Sequence, residues 1–363
     1  MGFDLQPTDE QRALKETLHD FAASVLRAEA RQCESAGRTS DEIFAQIHEI
    51  GVAAPVGEEH GGGGTFDAMT HCIAAEELAW GDPGIAYHLL GSGLAAIVIG
   101  RAGSDEQKRK YLPRFAEVAP ARSFVALGEK IAAGDLEAFD TTVDGDKATG
   151  EKYGVLDAAE ATLGIVVGRQ ADGIAAVVFD GGRGYEILRP EGKLGLEAAP
   201  SSVVRFDGVG DALAHGPGLD QAVLWAKLLV GAVAVGTARA SLEYASHYAV
   251  EREAFGKPIG AFQAISFKIA DMAIAVEAAR LAVRRAAWKI DRGEATSADV
   301  AEANGQALQA AVRCGDDGVQ ILGGHGYIRD HPVEKWFRDA VTLSVLDSPE
   351  AVGDVMVARS VWQ

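Results

Sequence analysis

Three consecutive stretches with helical spacing, 221–250, 261–292 and 297–322, constrain this 363-residue chain more than any other feature. Each runs far beyond the average of about 11–12 residues for a helix in a globular protein. Helices of that length are held by packing of their apolar faces rather than by propensity. With the shorter helical patterns 332–344 and 349–361 behind them, they predict a bundle whose faces also serve contacts between subunits.

The front of the chain repeats the helical period. Leu14, Leu18, Phe21 and Val25 follow Thr8, which with Gln11 three residues on predicts a capping box. Helical patterns continue through 40–50, 66–80, 85–101 and 105–118, punctuated by Gly61-Gly62-Gly63-Gly64 and Asp82-Pro83-Gly84. Between the helical blocks, 123–127, 163–167, 175–179, 185–188 and 203–206 are short β-prone runs, separated by turn signals such as Asp144-Gly145-Asp146 and Asp180-Gly181-Gly182. The expected fold is mainly α with a small β-domain: helical residues 1–121, a β-barrel-like domain over 122–217 and a C-terminal four-helix bundle over 218–363.

Composition removes several function classes. A formal charge of −19 opposes binding to phosphate backbones, so no nucleic-acid partner is expected. Three cysteines, Cys33, Cys72 and Cys314, are an odd number without a CxxC pair, which points to a reduced compartment, the cytoplasm, and no disulfide framework. The longest apolar candidate, 228–238, falls short of about 18 uncharged residues and reads as a buried core helix. Met1-Gly2-Phe3-Asp4-Leu5 lacks the basic and apolar regions of a signal peptide, so no membrane is expected. HExxH, GxSxG, GxxxxGK[ST] and GxGxxG after a strand are all missing, and the nine histidines lack metal spacing, so no metal is expected. His71 reads as a helix-surface or packing residue and the four-glycine run as a turn.

Two segments carry more. Arg252-Glu253-Ala254-Phe255-Gly256-Lys257-Pro258-Ile259-Gly260-Ala261-Phe262-Gln263 interrupts two long helices with an arginine, two phenylalanines and an amide. Gln320-Ile321-Leu322-Gly323-Gly324-His325-Gly326-Tyr327 precedes Pro332-Val333-Glu334 and Arg338-Asp339-Ala340. Alone, each reads equally as a helix corner or a glycine helix stop; together and in this order they are specific.

At these residues the chain resembles the acyl-CoA dehydrogenase family. The likeness extends over Phe3 and Leu5, Thr8-Asp9-Glu10-Gln11, the loop from Pro55 to Gly62, Glu76-Glu77-Leu78, Gln107-Lys108 and Tyr111-Leu112-Pro113. It implies a helix, β, helix flavoprotein, usually a tetramer, that removes the α-proton and β-hydride of an acyl-CoA and passes electrons to electron-transfer flavoprotein. It implies that Arg252, Phe255, Phe262, Gln263, Gln320, Gly323 and Gly324 contact the adenosine and pyrophosphate part of an FAD held by the neighbouring subunit. Those residue types suit such contacts, since arginine is a fixed charge-assisted donor, glycine lets backbone N–H groups approach, and an aromatic packs beside adenine.

The positions that would receive a flavin ring depart from the family. Its Thr-Glu-Pro…Gly-Ser-Asp loop aligns to Gly128-Glu129-Lys130-Ile131-Ala132-Ala133-Gly134-Asp135, and its Trp-Ile-Thr strand to Gly154-Val155-Leu156. The Asp-x-x-Arg motif falls on Leu224-Trp225-Ala226-Lys227, which keeps only a positive charge. The glutamate base falls on Asp347, about 1.5 Å shorter; Ser348-Pro349 behind it also reads as a helix cap. The alternative base position on the helix after the β-domain is Ala226. Three expectations follow: the partner chain of an α2β2 heterotetramer resembling actinobacterial enzymes of steroid side-chain breakdown; a homotetramer using Asp347; or a scaffold that has abandoned flavin.

Overall fold

In the computed structural model, residues 7–117, 119–130, 135–346 and 350–362 are described. Helix α1 (Asp9–Phe21) starts at the expected capping box: Thr8 Oγ1 accepts from Gln11 N at 3.1 Å and Gln11 Oε1 accepts from Thr8 N at 3.1 Å. It passes through one π turn into α2 (Arg27–Ala36), which stops at Gly37 with φ 67°. Next come α3 (Asp41–Ile50), α4 (Ala68–Gly81), α5 (Pro83–Gly91), α6 (Leu94–Ala102) and α7 (Asp105–Tyr111). The single helix expected over 85–101 is broken, because Gly93 lies against the Ala53 carbonyl so closely that a Cβ would sit 1.7 Å from its oxygen. The four-glycine run is a tight turn: Gly61 has φ 84°, and a Cβ on Gly62 would fall 2.0 Å from the Val56 carbonyl oxygen.

Eight strands follow: β1 (Ser123–Ala126), β2 (Thr142–Asp144), β3 (Lys147–Leu156), β4 (Leu163–Gln170), β5 (Gly173–Asp180), β6 (Tyr185–Pro190), β7 (Ser201–Val209) and β8 (Asp211–Ala212). Their order is β6-β7-β3-β2-β4-β5-β8, with β1 parallel to β4. The path is open, which corrects the barrel-like expectation. Strands β2 and β3 lie outside the expected β-prone runs: β3 mixes polar residues with Gly150 and Gly154, and its long antiparallel pairing to β7 joins residues distant in sequence. Phe124, Phe179 and Phe206, with Tyr185, fill a separate core beside the sheet.

The long helices α8 (Pro217–Glu251), α9 (Gln263–Asp291) and α10 (Ser297–Leu322) pack with α11 (Val333–Leu346) and α12 (Glu350–Trp362). Over an 18-residue window α8 is long and apolar enough to span a membrane, as is the run from Pro83 to Ala102, contrary to expectation. Those windows are 100% and 89% buried inside the protein, and a helix enclosed by its own core is apolar all round for that reason. Helix α4 is clamped to α8 and α9 by charge. Arg239 donates to Glu76 at 2.9 Å and to Glu77 at 2.6 Å, while Arg280 donates to Glu76 at 2.9 Å. This clamp fixes the two helices whose junction carries the Arg252 segment. Cys33, Cys72 and Cys314 are buried free thiols.

Candidate functional site

The chain leaves α8 at Arg252, whose N–H still reaches the Tyr248 carbonyl at 2.8 Å. It then turns through a hairpin of β9 (Glu253–Ala254) and β10 (Lys257–Pro258). Both turn residues have positive φ, Phe255 at 52° and Gly256 at 80°. Such a turn suits glycine and strains phenylalanine. Phe255 is nonetheless 98% exposed, with an edge-on ring contact to Phe262 at 6.2 Å. The Lys257 ammonium sits 4.2 Å above the Phe262 ring. Gln263 opens α9 and no side chain caps that helix, although the Ile265 N–H already reaches the Phe262 carbonyl at 2.9 Å, so the positive end of its dipole is met by no side-chain acceptor. The Arg252 side chain is exposed and makes no hydrogen bond or ion pair among the described residues. A cavity of 340 Å³, lined by Ala249, Val250, Pro258, Gly260 and Ile269, opens beside the hairpin.

Gln320, Gly323 and Gly324 are exposed where α10 ends. Gly323 takes φ 58° and ψ −129°, a conformation for glycine, and no atom lies within 4 Å of a Cβ placed on it or on Gly324. The Gly323 N–H itself closes the helix end onto the Gln320 and Val319 carbonyls, while the space above both glycines leaves the backbone open to close approach. The two segments are joined by Tyr248: its carbonyl holds Arg252, and its hydroxyl lies 2.8 Å from His325 Nδ1. Sequence reasoning missed Tyr248, although it stands one helical turn before Arg252, and also Lys257.

The positions that the resemblance sets against a flavin ring behave differently. Glu129 turns inward, accepting from Asp140 N at 2.6 Å, Thr141 N at 3.0 Å and Lys152 Nζ at 2.8 Å. Burial raises its pKa, but Lys152 and those N–H groups outweigh burial and hold the carboxyl below its usual range. Lys152 is fully buried, bonded to the Leu127 carbonyl at 3.2 Å and set 3.5 Å from the Phe139 ring centre. Asp135 is taken by Arg359 at 2.8 Å. Gly154, at φ 66°, donates to Glu191 Oε2 at 2.9 Å, and a Cβ on it would touch the Leu346 carbonyl at 3.4 Å and side chain at 3.5 Å. Leu156 packs onto Gly91, with 2.3 Å to a Cβ position there. Ala226 and Lys227 are both buried in α8, where the Lys227 carbonyl accepts from Asn304 at 2.9 Å. Residues 131–134 and Asp347, with Ser348 and Pro349, lie outside the described residues.

His71 is buried rather than on a helix surface. Trp225 Nε1–H donates to its Nδ1 at 3.0 Å, and burial pushes the imidazole down to about 4, so it packs as a neutral ring. Among the described residues no group of three His, Cys, Asp or Glu could hold a metal ion.

Comparison with known proteins gives one consistent result. Residues 8–119 match the family described as "Acyl-CoA dehydrogenase, N-terminal domain" and residues 219–361 match "Acyl-CoA dehydrogenase, C-terminal domain". A probable acyl-CoA dehydrogenase of Bacillus subtilis is 30% identical over 386 residues, covering 99% of both chains. The structure of butyryl-CoA dehydrogenase from Megasphaera elsdenii superposes with a TM-score of 0.87 at 28% identity, covering 99% of this chain and 100% of that one. PigA, solved with FAD and proline, superposes at 0.88 with 25% identity over 99% of each chain.

Proposed function

The chain belongs to the acyl-CoA dehydrogenase family, and from that premise we propose that it is the FAD-lending subunit of a hetero-oligomeric enzyme that dehydrogenates an acyl-CoA. Bound FAD would supply the hydride acceptor, seated on a second, homologous chain that brings the flavin-ring loop and the base. The residues present fit the nucleotide half of FAD and not its ring. On this chain Arg252 would pair with the pyrophosphate, Gly323 and Gly324 would let the nucleotide approach the backbone closely, Phe255 and Phe262 would pack beside the adenosine, and Gln263 and Gln320 would donate amides. Glu129 and Gly154, by contrast, are held by internal bonds, and Leu346 lies against Gly154.

The single observation that carries this is Arg252: an exposed guanidinium without a partner among the described residues, beside an uncapped helix start, on a surface that packing alone gives no reason to keep. Its proposed domains are residues 1–121, 122–217 and 218–363. Electron-transfer flavoprotein is the proposed acceptor, and thioesters of steroid side chains are the substrate class taken from the resemblance.

Expression decides the matter. Alone, this chain should purify without stoichiometric flavin; with its partner, the complex should hold FAD. One flavin per chain in the lone protein overturns the proposal. Asp347→Asn should leave turnover of the complex intact; lost turnover with FAD and assembly preserved would assign the base to this chain and favour the homotetramer.

A further inference from the structure

Two cavities that the function above does not use meet where α3 faces the stretch leading into β1. The inner one, of 290 Å³, is apolar: Phe44, Leu89 and Phe115, all buried, line it together with Ala53, Ala54 and Gly93. The outer one, of 470 Å³, is polar and is lined by Arg38, Arg114, Glu117 and Glu160. Asp41 and Arg122 line both, so the ion pair between them stands at the mouth of the apolar space.

Local structure shapes the cleft. Ser40 caps α3, its Oγ accepting from Ile43 N at 3.3 Å, and the helix then sets Asp41, Phe44 and Ala45 on one face. Alanines and Gly93 complete the wall, leaving a space that close packing does not fill. Its volume is near the lower end of the range for small-molecule sites.

Arg122 gives the mouth its chemistry. Its side chain is only 16% exposed, its guanidinium carbon lies 4.3 Å from the Phe44 ring centre, and buried Asp157 stands 3.5 Å away. Its other partner, Asp41, is a carboxylate 78% exposed that also pairs with Arg38 at 3.0 Å. A mostly buried cation thus depends on a carboxylate that stands in water. Ion pairs to exposed carboxylates add little stability, so Asp41 is readily displaced.

We propose that the two cavities form one site for a monocarboxylate with a short apolar tail, whose head displaces Asp41 from Arg38 and Arg122 and whose tail fills the cleft between Phe44, Leu89 and Phe115. The site shares no residue with the Arg252 corner, and the inference stands apart from the FAD-lending function.

The charges around the mouth select the head. Arg38, Arg114 and Arg122 face Asp41, Glu117 and Glu160, while Asp180 takes Arg114 at 2.7 Å. Once Asp41 turns out into water, Arg38 and Arg122 answer one negative charge. A second charge meets Glu117 and Glu160, and like charges repel. The site therefore favours a free acid over a phosphate-bearing compound with the same tail. An uncharged head loses the charge-assisted hydrogen bonds to the two arginines.

The test is isothermal titration of this chain with octanoate, which should bind with a Kd of about 1 mM or tighter. Octanamide, of similar shape but uncharged, should bind about tenfold more weakly, and octyl phosphate should also bind more weakly than octanoate. Asp41→Asn removes the internal competitor and should tighten octanoate binding about threefold, the worth of an exposed ion pair. Ala54→Phe fills the cleft and should abolish binding at an unchanged melting temperature; if it melts early, Ala45→Phe at the exposed rim of α3 makes the same test. Arg252→Ala should bind octanoate as wild type does. No saturable binding of octanoate overturns the inference. So does octanamide or octyl phosphate matching octanoate, Asp41→Asn without a gain, undiminished binding in a folded filled variant, or a loss of octanoate in Arg252→Ala, which would place the acid at the corner.

Discussion

The corner between α8 and α9 and the stretch around β3 treat their polar groups in opposite ways. Around β3, Glu129, Lys152, Asp135 and Glu191 all bond to groups of their own chain, and Leu346 touches Gly154. At the corner, the Arg252 side chain bonds to none of the described residues, Phe255 holds a left-handed backbone with its ring in solvent, and Gly323 has empty space above it. Satisfied polar groups explain themselves by stability. An arginine left to solvent and a strained phenylalanine add little to the fold, and strain of this kind clusters at sites of binding.

The contrast breaks first if the inward network turns out to be functional. Lys152→Met leaves Glu129 buried without its cation and should destabilise the chain by about 3–5 kcal/mol. Chemical unfolding of this chain measures it. The FAD content of whatever complex still assembles should be unchanged; a folded variant whose complex loses FAD would place a cofactor role on the wrong side of the comparison. Next in size is Arg252→Ala. Removing a charge-assisted donor should weaken FAD retention by about 2 kcal/mol, roughly thirtyfold, with the melting temperature of the lone chain unmoved. The two substitutions thus separate stability from binding in opposite regions.

The same contrast governs what the sequence could reveal. Helix α10 spans the predicted 297–322, because its boundaries are local: Thr296 and Asp299 form a capping box, and Gly323 stops the helix. Strand β3 escapes a local reading because its place depends on β7 and the Asp144–Lys147 turn, with Gly150 and Gly154 diluting the β signal. The break at Gly93 comes from a carbonyl forty residues away along the chain, at Ala53, and no local periodicity encodes that approach. The candidate site divides likewise. Arg252 to Gln263 and Gln320 to Gly324 are contiguous motifs and legible as such, whereas Tyr248 meets His325 across 77 residues. The inward turn of Glu129 is hidden as well, since its partner Lys152 is 23 residues on.

Gly323 sharpens the comparison on a smaller scale. At φ 58° and ψ −129° an added methyl has room but not a comfortable backbone. Gly323→Ala should therefore cost the chain at least about 1 kcal/mol by strain alone, and should also weaken FAD retention, because relaxing the strain moves the turn. A variant that melts earlier yet binds FAD normally would show that the open space above Gly323 is incidental.

The smallest effect is the most diagnostic, because its two readouts should move in opposite directions. Phe255 adopts φ 52° while 98% exposed, so the chain bears the cost of a left-handed aromatic with little intramolecular return beyond an edge contact to Phe262. Asparagine tolerates that backbone conformation far better and, unlike glycine, does not loosen the unfolded chain to the same degree. Phe255→Asn should accordingly raise the stability of the lone chain by about 0.5–1 kcal/mol and lower FAD retention in the complex by a few-fold, as one aromatic contact worth about 0.5–1.5 kcal/mol is lost. A residue kept for folding would lose stability on replacement, and a residue kept for nothing would leave FAD untouched. Only a side chain retained for a partner's cofactor improves the fold and harms the complex at once.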